Sequence, residues 1–562
     1  MFTAASAAAT LALTLVLASR PAPSSSSSPS NSSSSSSSPS TPARPNIVLV
    51  VCDSMDGRLV TAPRSPVPLP WIARLAAAGA AFATAYTNSP VCCPSRAALW
   101  SGLHTHVTAA WNNHKCLPPG YPTWLDRLRA EAGYTTAVFG KTDFTSGGHS
   151  LSNRVEAWTR GVPGLLLRQE PRPRAQLVGG ERTRRVQLRD WNNTDRAVRW
   201  IRDVAPGRAP FALYLGLNLP HPYKTPSSGP NAGASTFRTS PFWLRRVRRG
   251  AVVVPRWLPP DETHPSDAYA TFVKNCSGPF ADDEVIAVRA AYYAMCAETD
   301  AMLGAVVRAL GAAGFDLHGD TYVAFTCDHG ELALEHRQYY KMSMYEGSAR
   351  VPLVIAGPRV RPRKQHLLEQ TLVSLVDIYP TMMDIAGLPH RIHNATNYNL
   401  ENDADENEHD DEATSSARRD LVKLSRGHRW ALSQFHGSDL NESAYMLRVS
   451  RWKLVAYGEG PSSSATRPQL FDLVADPEEL RDLSASRPHL TSRLEAALRS
   501  LIDYPAVTRA ARRYDRDAFL EWRVAAGPRY REAIAGLRWY RDWAEDPRGN
   551  LEAIDAWLER GE

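Results

Sequence analysis

Asn46-Ile47-Val48-Leu49-Val50-Val51-Cys52-Asp53 decides the fold class. Six consecutive apolar residues, several of them β-branched, end at a single carboxylate. That profile belongs to a strand buried on both faces, as in a largely parallel sheet. Similar runs recur at Thr135 to Phe139, Phe211 to Leu217, Tyr322 to Cys327 and Val351 to Ile355. Segments of helical periodicity separate them. The clearest passes through Val288, Tyr292, Met295, Met302, Val306 and Leu310, apolar positions that recur every three or four residues. Strands alternating with helices predict an α/β domain. From Trp430 the pattern changes to short strands, Trp430 to Phe435, Tyr445 to Val449 and Trp452 to Ala456, and then to arginine-rich helices, which reads as a smaller α+β unit.

The chain has 562 residues, more than one hydrophobic core usually supports, so a large unit with a smaller one is expected. The first eighteen residues carry no charged side chain and run through Leu11-Ala12-Leu13-Thr14-Leu15-Val16-Leu17-Ala18, the composition of a secretory signal core. A stable membrane anchor is not expected, because the apolar run is short and diluted by Thr3, Ser6 and Thr10. Serines dominate from Ser24 to Ser40, which cannot bury enough apolar area to fold. The expected organisation is a signal peptide over 1–22, a serine-rich linker over 23–44, a main domain over 45–397, an acidic linker or insertion over 398–418 and a C-terminal subdomain over 419–562.

Entry into the secretory pathway agrees with Asn-X-Ser/Thr sequons at Asn31, Asn192, Asn275, Asn394 and Asn441. Seven cysteines are too few for a disulfide scaffold, and the odd count leaves at least one unpaired; Cys276 with Cys296 is one plausible pair. The net charge of +7, with arginine clusters at 172–189, 245–249 and 359–364, favours polyanionic partners. The secretory route and the absence of any zinc-finger or basic-zipper pattern argue against nucleic acid.

In open α/β sheets a ligand sits beyond the carboxyl ends of the strands, and there the chain places Asp53 and the pair Asp328-His329. A third element, Cys92-Cys93-Pro94-Ser95-Arg96-Ala97-Ala98-Leu99, suits a helix starting near Pro94. Its N-terminus would present unpaired backbone donors to an anion beside Cys92, and Arg96 would add a fixed charge. Two oxygen-bearing strand ends facing an anion site suggest a hard divalent cation, calcium or its close rival magnesium.

These motifs resemble those of the sulfatase family. The residues concerned are Pro45 to Val48 leading to Asp53, Cys92 to Gly102, Gly140-Lys141, Cys327-Asp328-His329-Gly330-Glu331, Lys341 with Tyr345-Glu346-Gly347, Leu375 to Thr381, and Leu470-Phe471-Asp472-Leu473 followed by Asp476-Pro477. They stand in the family's order, and the resemblance runs from Asn46 to about Leu558. It implies an alkaline-phosphatase-like α/β fold with a large, mostly parallel sheet and a smaller C-terminal domain. It also implies that Cys92 is converted to formylglycine (3-oxoalanine) by a formylglycine-generating enzyme, and that Asp53, Cys92, Asp328 and His329 bind one calcium ion. By the same resemblance Lys141 and His264 contact the sulfate or its bridging oxygen, Arg96 steadies the nucleophile and Lys341 adds positive charge. His264 is the first choice for proton transfer, and His221 contacts substrate.

Two positions depart from the broad family pattern. Ser54 stands where many members have a second aspartate, leaving Asp56 as a replacement ligand, and Asp143 stands where many have a histidine, leaving Asp143 or His149 as a base. The doubled Cys92-Cys93, Tyr86 to Pro90, Ser152 to Arg160 and Tyr339 to Glu346 resemble members acting on 2-O-sulfated glucuronate in heparan, chondroitin or dermatan chains. The expected protein is therefore a lysosomal or secreted hydrolase of sulfated saccharides. Two alternatives stand beside it: a phosphodiesterase or phosphatase of the same superfamily with an unmodified nucleophile, and a non-catalytic polyanion-binding protein. The oligomeric state is not legible.

Overall fold

The computed structural model describes residues 44–61, 65–146, 151–162, 170–224, 235–360, 372–389, 430–437, 440, 442–458, 466–535 and 546–560. The expected signal peptide and serine-rich linker, the acidic segment with its domain boundaries, His149, Asn31, Asn394 and Asn441 lie outside the described residues.

The apolar runs form the strands of one sheet: β1 (Asn46–Asp53), β2 (Ala80–Ala81), β3 (Thr135–Gly140), β4 (Phe211–Pro220), β5 (Thr321–Cys327) and β6 (Leu353–Ala356). They lie in the order β2-β6-β5-β1-β4-β3. β1 is central, parallel to β4 on one side and β5 on the other, and every one of its residues is buried. β3 extends the parallel set, whereas β6 runs antiparallel to β5 and to β2. The run at Val351 to Ile355 is thus an antiparallel strand starting at Leu353.

Helices cover both faces, the requirement that makes β1 apolar throughout. On one face lie α1 (Pro70–Ala78), α4 (Leu188–Asp203) and the long α6 (Asp282–Ala312). On the other lie α2 (Cys92–Ser101), α3 (Trp124–Ala132) and α7 (Ile378–Ala386). Trp100 of α2 stacks on Trp124 of α3 with ring centroids 5.2 Å apart and meets Tyr214 of β4 at 4.6 Å, seating α2 against the sheet. Between α4 and α6 comes α5 (Pro265–Val273).

The C-terminal unit is an antiparallel meander, β7 (Trp430–Phe435), β8 (Ala444–Val449), β9 (Trp452–Tyr457) and β10 (Gln469–Asp472). Its alternating side chains serve two cores. Leu447, Leu454 and Leu470 pack against α8 (Pro488–Leu501), while Phe435, Met446, Val455 and Phe471 pack against Tyr86, Leu332 and Tyr345 of the main unit. Lys453 of β9, wholly buried, donates to Glu479 and to the carbonyl of Met344 and pairs with Glu346, fastening the meander to the segment that follows Lys341. A last long helix, α9 (Tyr504–Ala526), packs on the 151–162 segment.

The cysteine pairing differs from expectation. Cys276 and Cys296 are both buried free thiols, and the disulfide joins Cys93 to Cys116. Cys296 lies on the sheet-facing side of α6, among core side chains, whereas Cys93 sits next to Cys92 and tethers the start of α2 to the loop beyond it.

Candidate active site

Asp53 and Asp328-His329 sit where two neighbouring parallel strands end, and α2 delivers Cys92 to the same point. Cys92 is the first residue of the helix, so the helix begins two residues before Pro94. Among the described residues, ligand atoms of Asp53, Cys92, Asp328 and His329 lie within 4.8 Å of one another, and all four side chains are buried. His329 Nε2 is 3.5 Å from Asp53 Oδ1, 3.6 Å from Asp328 Oδ1 and 3.3 Å from Cys92 Sγ. Two carboxylates and an imidazole converging around residue 92 are a donor set that fits a divalent cation.

The cationic groups surround this cluster. Lys141, at the end of β3, forms an ion pair with Asp53 and lies 3.3 Å from Asp143. Burial by itself would raise the Asp53 carboxyl, but Lys141, His221, His329 and Lys341 hold it well below the usual carboxylate range. Burial opposes the charge on Lys141 in turn, and Asp53 with Cys92 raises it well above the ordinary lysine range. Burial and Asp53 together push the Cys92 thiol up to about 11, so an unmodified Cys92 is a protonated thiol and a weak nucleophile.

Arg96 does not project towards a ligand. Fully buried, it donates from Nε to Asp328 Oδ2 at 2.8 Å, from Nη1 to Tyr214 Oη at 2.9 Å and Lys141 O at 3.1 Å, and from Nη2 to Cys52 O at 3.2 Å. It ties the ends of β1, β3 and β5 to the middle of β4 from beneath the cluster.

His221 follows β4, next to Asp53 in the strand order. Its Nδ1 donates to Pro222 O at 2.7 Å, which leaves Nε2 as the open ring nitrogen. Burial, then Lys341, keeps the imidazole well below the ordinary histidine range. His264 is not brought to this group. It caps α5, its Nε2 bonds Arg467 O at 3.0 Å, and its ring stacks on Tyr457 with centroids 5.0 Å apart.

The two replacement residues also go different ways. Asp56 accepts four hydrogen bonds from three donors of Arg58, which bridges it to Glu335, and lies outside the cation-binding group. Ser54 bonds Asp53 Oδ1 at 3.1 Å and orients it. Asp143 stays beside Lys141, partly exposed; burial would raise its carboxyl, but Lys141 and Arg96 lower it.

Lys341 lies in a loop whose flanking residues, Tyr340 (φ 67°) and Met342 (φ 74°), adopt left-handed backbone that costs non-glycine residues about 1–2 kcal/mol each. Three anchors hold it. Glu331 accepts from Tyr340 N at 2.5 Å, Met342 N donates to Pro90 O at 3.0 Å, and the wholly buried Lys274 donates to Lys341 O at 2.7 Å and to Gln338 Oε1 at 3.0 Å. Lys274 carries no sequence signal for this task, and the motif that contains Glu331 does not point to Tyr340, because their partners are distant in the chain or belong to the backbone.

Comparison with known proteins decides the family. The sulfatase family profile matches residues 45–388, and that of the N-sulphoglucosamine sulphohydrolase C-terminal region matches 334–503. The chain belongs to the sulfatase family. It is 50% identical over 522 residues to the arylsulfatase K of Canis lupus familiaris, covering 92% of this chain and 93% of the relative. It shares its fold with a 2-O GAG sulfatase at 21% identity, covering 82% of this chain and 94% of the other with a TM-score of 0.55. It likewise shares the fold with the phosphonate monoester hydrolase of Silicibacter pomeroyi at 20% identity, covering 81% and 94% with a TM-score of 0.58. This sulfatase is a sulfuric ester hydrolase with the alkaline-phosphatase-like architecture. The family uses a formylglycine and a metal ion, and the Asp53–Cys92–Asp328–His329 group offers a place for one.

Proposed function

We propose that this sulfatase removes the 2-O-sulfate from glucuronate at the ends of heparan, chondroitin or dermatan sulfate chains, and that it works in the lysosome or after secretion. The observation that carries the reading is the convergence of Asp53, Cys92, Asp328 and His329 with Lys141 and Lys341 close by, in a chain half identical to arylsulfatase K. The fold neighbour described as a 2-O GAG sulfatase is in keeping with it.

Formylglycine at position 92, made by a formylglycine-generating enzyme, would supply a gem-diol nucleophile. A calcium ion held by Asp53, residue 92, Asp328 and His329 would supply Lewis-acid charge for the sulfate oxygens. The remaining work belongs to side chains already in place. Lys141 and Lys341 offset the charge that spreads over the sulfate as the bridging bond lengthens, and their fixed positions spare reorganisation. Arg96 keeps the two aspartates at fixed orientation. His221 keeps Nδ1–H on Pro222 O; the negative charge of a bound sulfate offsets the burial and the Lys341 charge that depress its imidazole, so it takes up a second proton at Nε2 and gives that proton to the leaving alkoxide. Asp143, partly exposed beside Lys141, takes the proton released from the second hydroxyl at its carboxylate. A disaccharide ending in glucuronate 2-sulfate should release sulfate, and its iduronate epimer should react far more slowly. Equal rates on the two would refute the sugar assignment, and release of phosphate from phosphodiesters at higher efficiency would favour the phosphodiesterase alternative.

A further inference from the structure

The loop before α4 and the turn of helix Pro241–Leu244 form one exposed basic surface. Between Arg182 and Arg189 and between Arg245 and Arg249 eight arginines are exposed. Carboxylates engage two of them, Arg245 through Glu181 and Arg185 through Asp195. Arg184 and Arg246 have no carboxylate partner among the described residues; their guanidinium carbons sit instead 5.0 Å and 3.8 Å from the ring centre of Phe242, with Arg246 also 4.9 Å from that of Trp243. Trp243 Nε1 donates to Arg184 O at 2.9 Å and Ser240 Oγ to Thr183 O at 2.6 Å, so the two basic segments are fixed to each other. Partial burial and then the charges of Arg184 and Arg245 depress the Arg246 guanidinium, the sign of like charges held together.

This surface lies on the same edge of the sheet as the active site. Asp190, at the start of α4, accepts from Asn218 N and Leu219 N at the end of β4, both at 2.8 Å, two residues before His221. From His221 the chain continues to Tyr223, whose ring lies beneath the Arg238 guanidinium at 4.7 Å, and Arg238 is two residues before Ser240.

We infer that Arg184 and Arg246, on their Phe242–Trp243 floor, form a non-catalytic subsite for the body of a linear sulfated polysaccharide whose terminal residue occupies the active site. Arg246 Nη1 donates to Phe242 O at 2.6 Å, and the remaining donors of Arg246, with those of Arg184, are exposed above the aromatic floor and suit sulfate and carboxylate groups. The inference rests on the saccharide reading given above, and its test separates the two.

Retention on immobilised heparin and turnover would be compared for wild type, Arg184→Gln/Arg246→Gln and the control Arg493→Gln/Arg509→Gln, which removes the same charge from exposed positions on the C-terminal helices. The first double variant should leave heparin at lower salt than the control. Its KM for an octasaccharide ending in glucuronate 2-sulfate should rise about three- to tenfold at low salt, with turnover of the monosaccharide glucuronate 2-sulfate unchanged. Equal shifts for the two double variants, no shift, or equal loss on long and short substrates would overturn the subsite. If wild type turned over neither sugar, the saccharide reading would fall, and the heparin comparison would still decide whether the arginine surface binds a sulfated chain.

Discussion

Replacing Lys274 with methionine tests how the site is held. The ammonium is buried and feeds two acceptors, Lys341 O and Gln338 Oε1. Methionine fills a similar volume but leaves both without that donor, at about 1–3 kcal/mol each. Tyr340 and Met342 store a further cost of about 1–2 kcal/mol each in left-handed backbone. Relaxation of that strain is thus comparable in size to what Lys274 contributes, so the loop should shift and carry the Lys341 ammonium away from Asp53 and Cys92. A displacement of about 1 Å costs on the order of 10²-fold in rate. We expect kcat for an aryl sulfate to fall about 10- to 100-fold, KM to change less, and Lys274→Arg to restore part of kcat. Steady-state kinetics beside thermal unfolding measures this. Full kcat in a Lys274→Met protein with a lowered Tm would refute the reasoning, because Lys274 would then serve stability alone.

Other outcomes follow from the same geometry. Arg96→Met should lower stability by about 3–5 kcal/mol in urea unfolding, since it strands two buried aspartates and removes the tie among four strands; a loss of activity with unchanged stability would contradict that role. His221→Asn should flatten one limb of the pH–rate profile and His264→Asn should leave its shape intact, whereas the reverse result would return the proton to His264. Asp300 accepts from Trp71 N and Ile72 N of α1, and burial raises its carboxyl to about 7 from 3.8, so the folded state holds a proton there that the unfolded chain has lost. Its stabilising contribution is present at low pH and is lost as pH rises through the folded value. Asp300→Asn keeps the acceptor and cannot titrate, so wild type should lose about 2 kcal/mol relative to it between about pH 5 and pH 7; parallel stability profiles would remove the assignment.

Much of the fold was legible because β1 must be apolar on both faces, a demand that leaves a local mark in six adjacent residues. Asp53, Asp328 and His329 were legible for a related reason: the ends of parallel strands lie together, so residues following apolar runs meet in space, whereas Cys92 stood out by its motif and Lys141 by the family resemblance alone. What depends on long-range placement left no such mark. His221 and His264 both follow plausible signals, and only the packing of Tyr457 and Arg467 against His264 separates them. The Cys93–Cys116 bridge follows from the loop after α2, and the left-handed backbone around Lys341 is imposed by Glu331, Pro90 and Lys274 rather than advertised by glycine. The charge of Arg96 beside Cys92 is visible in the sequence, while its four partners beneath the cluster are not.

The central claim is that residue 92 acts as an aldehyde hydrate in a site built for a sulfate ester. Peptide mass spectrometry across Val91 to Trp100, on protein from a secretory host and set beside its specific activity, tests this most directly. The account predicts formylglycine in place of the thiol, with sulfate release proportional to the converted fraction. A fully active enzyme whose Cys92 remains entirely a thiol would contradict it.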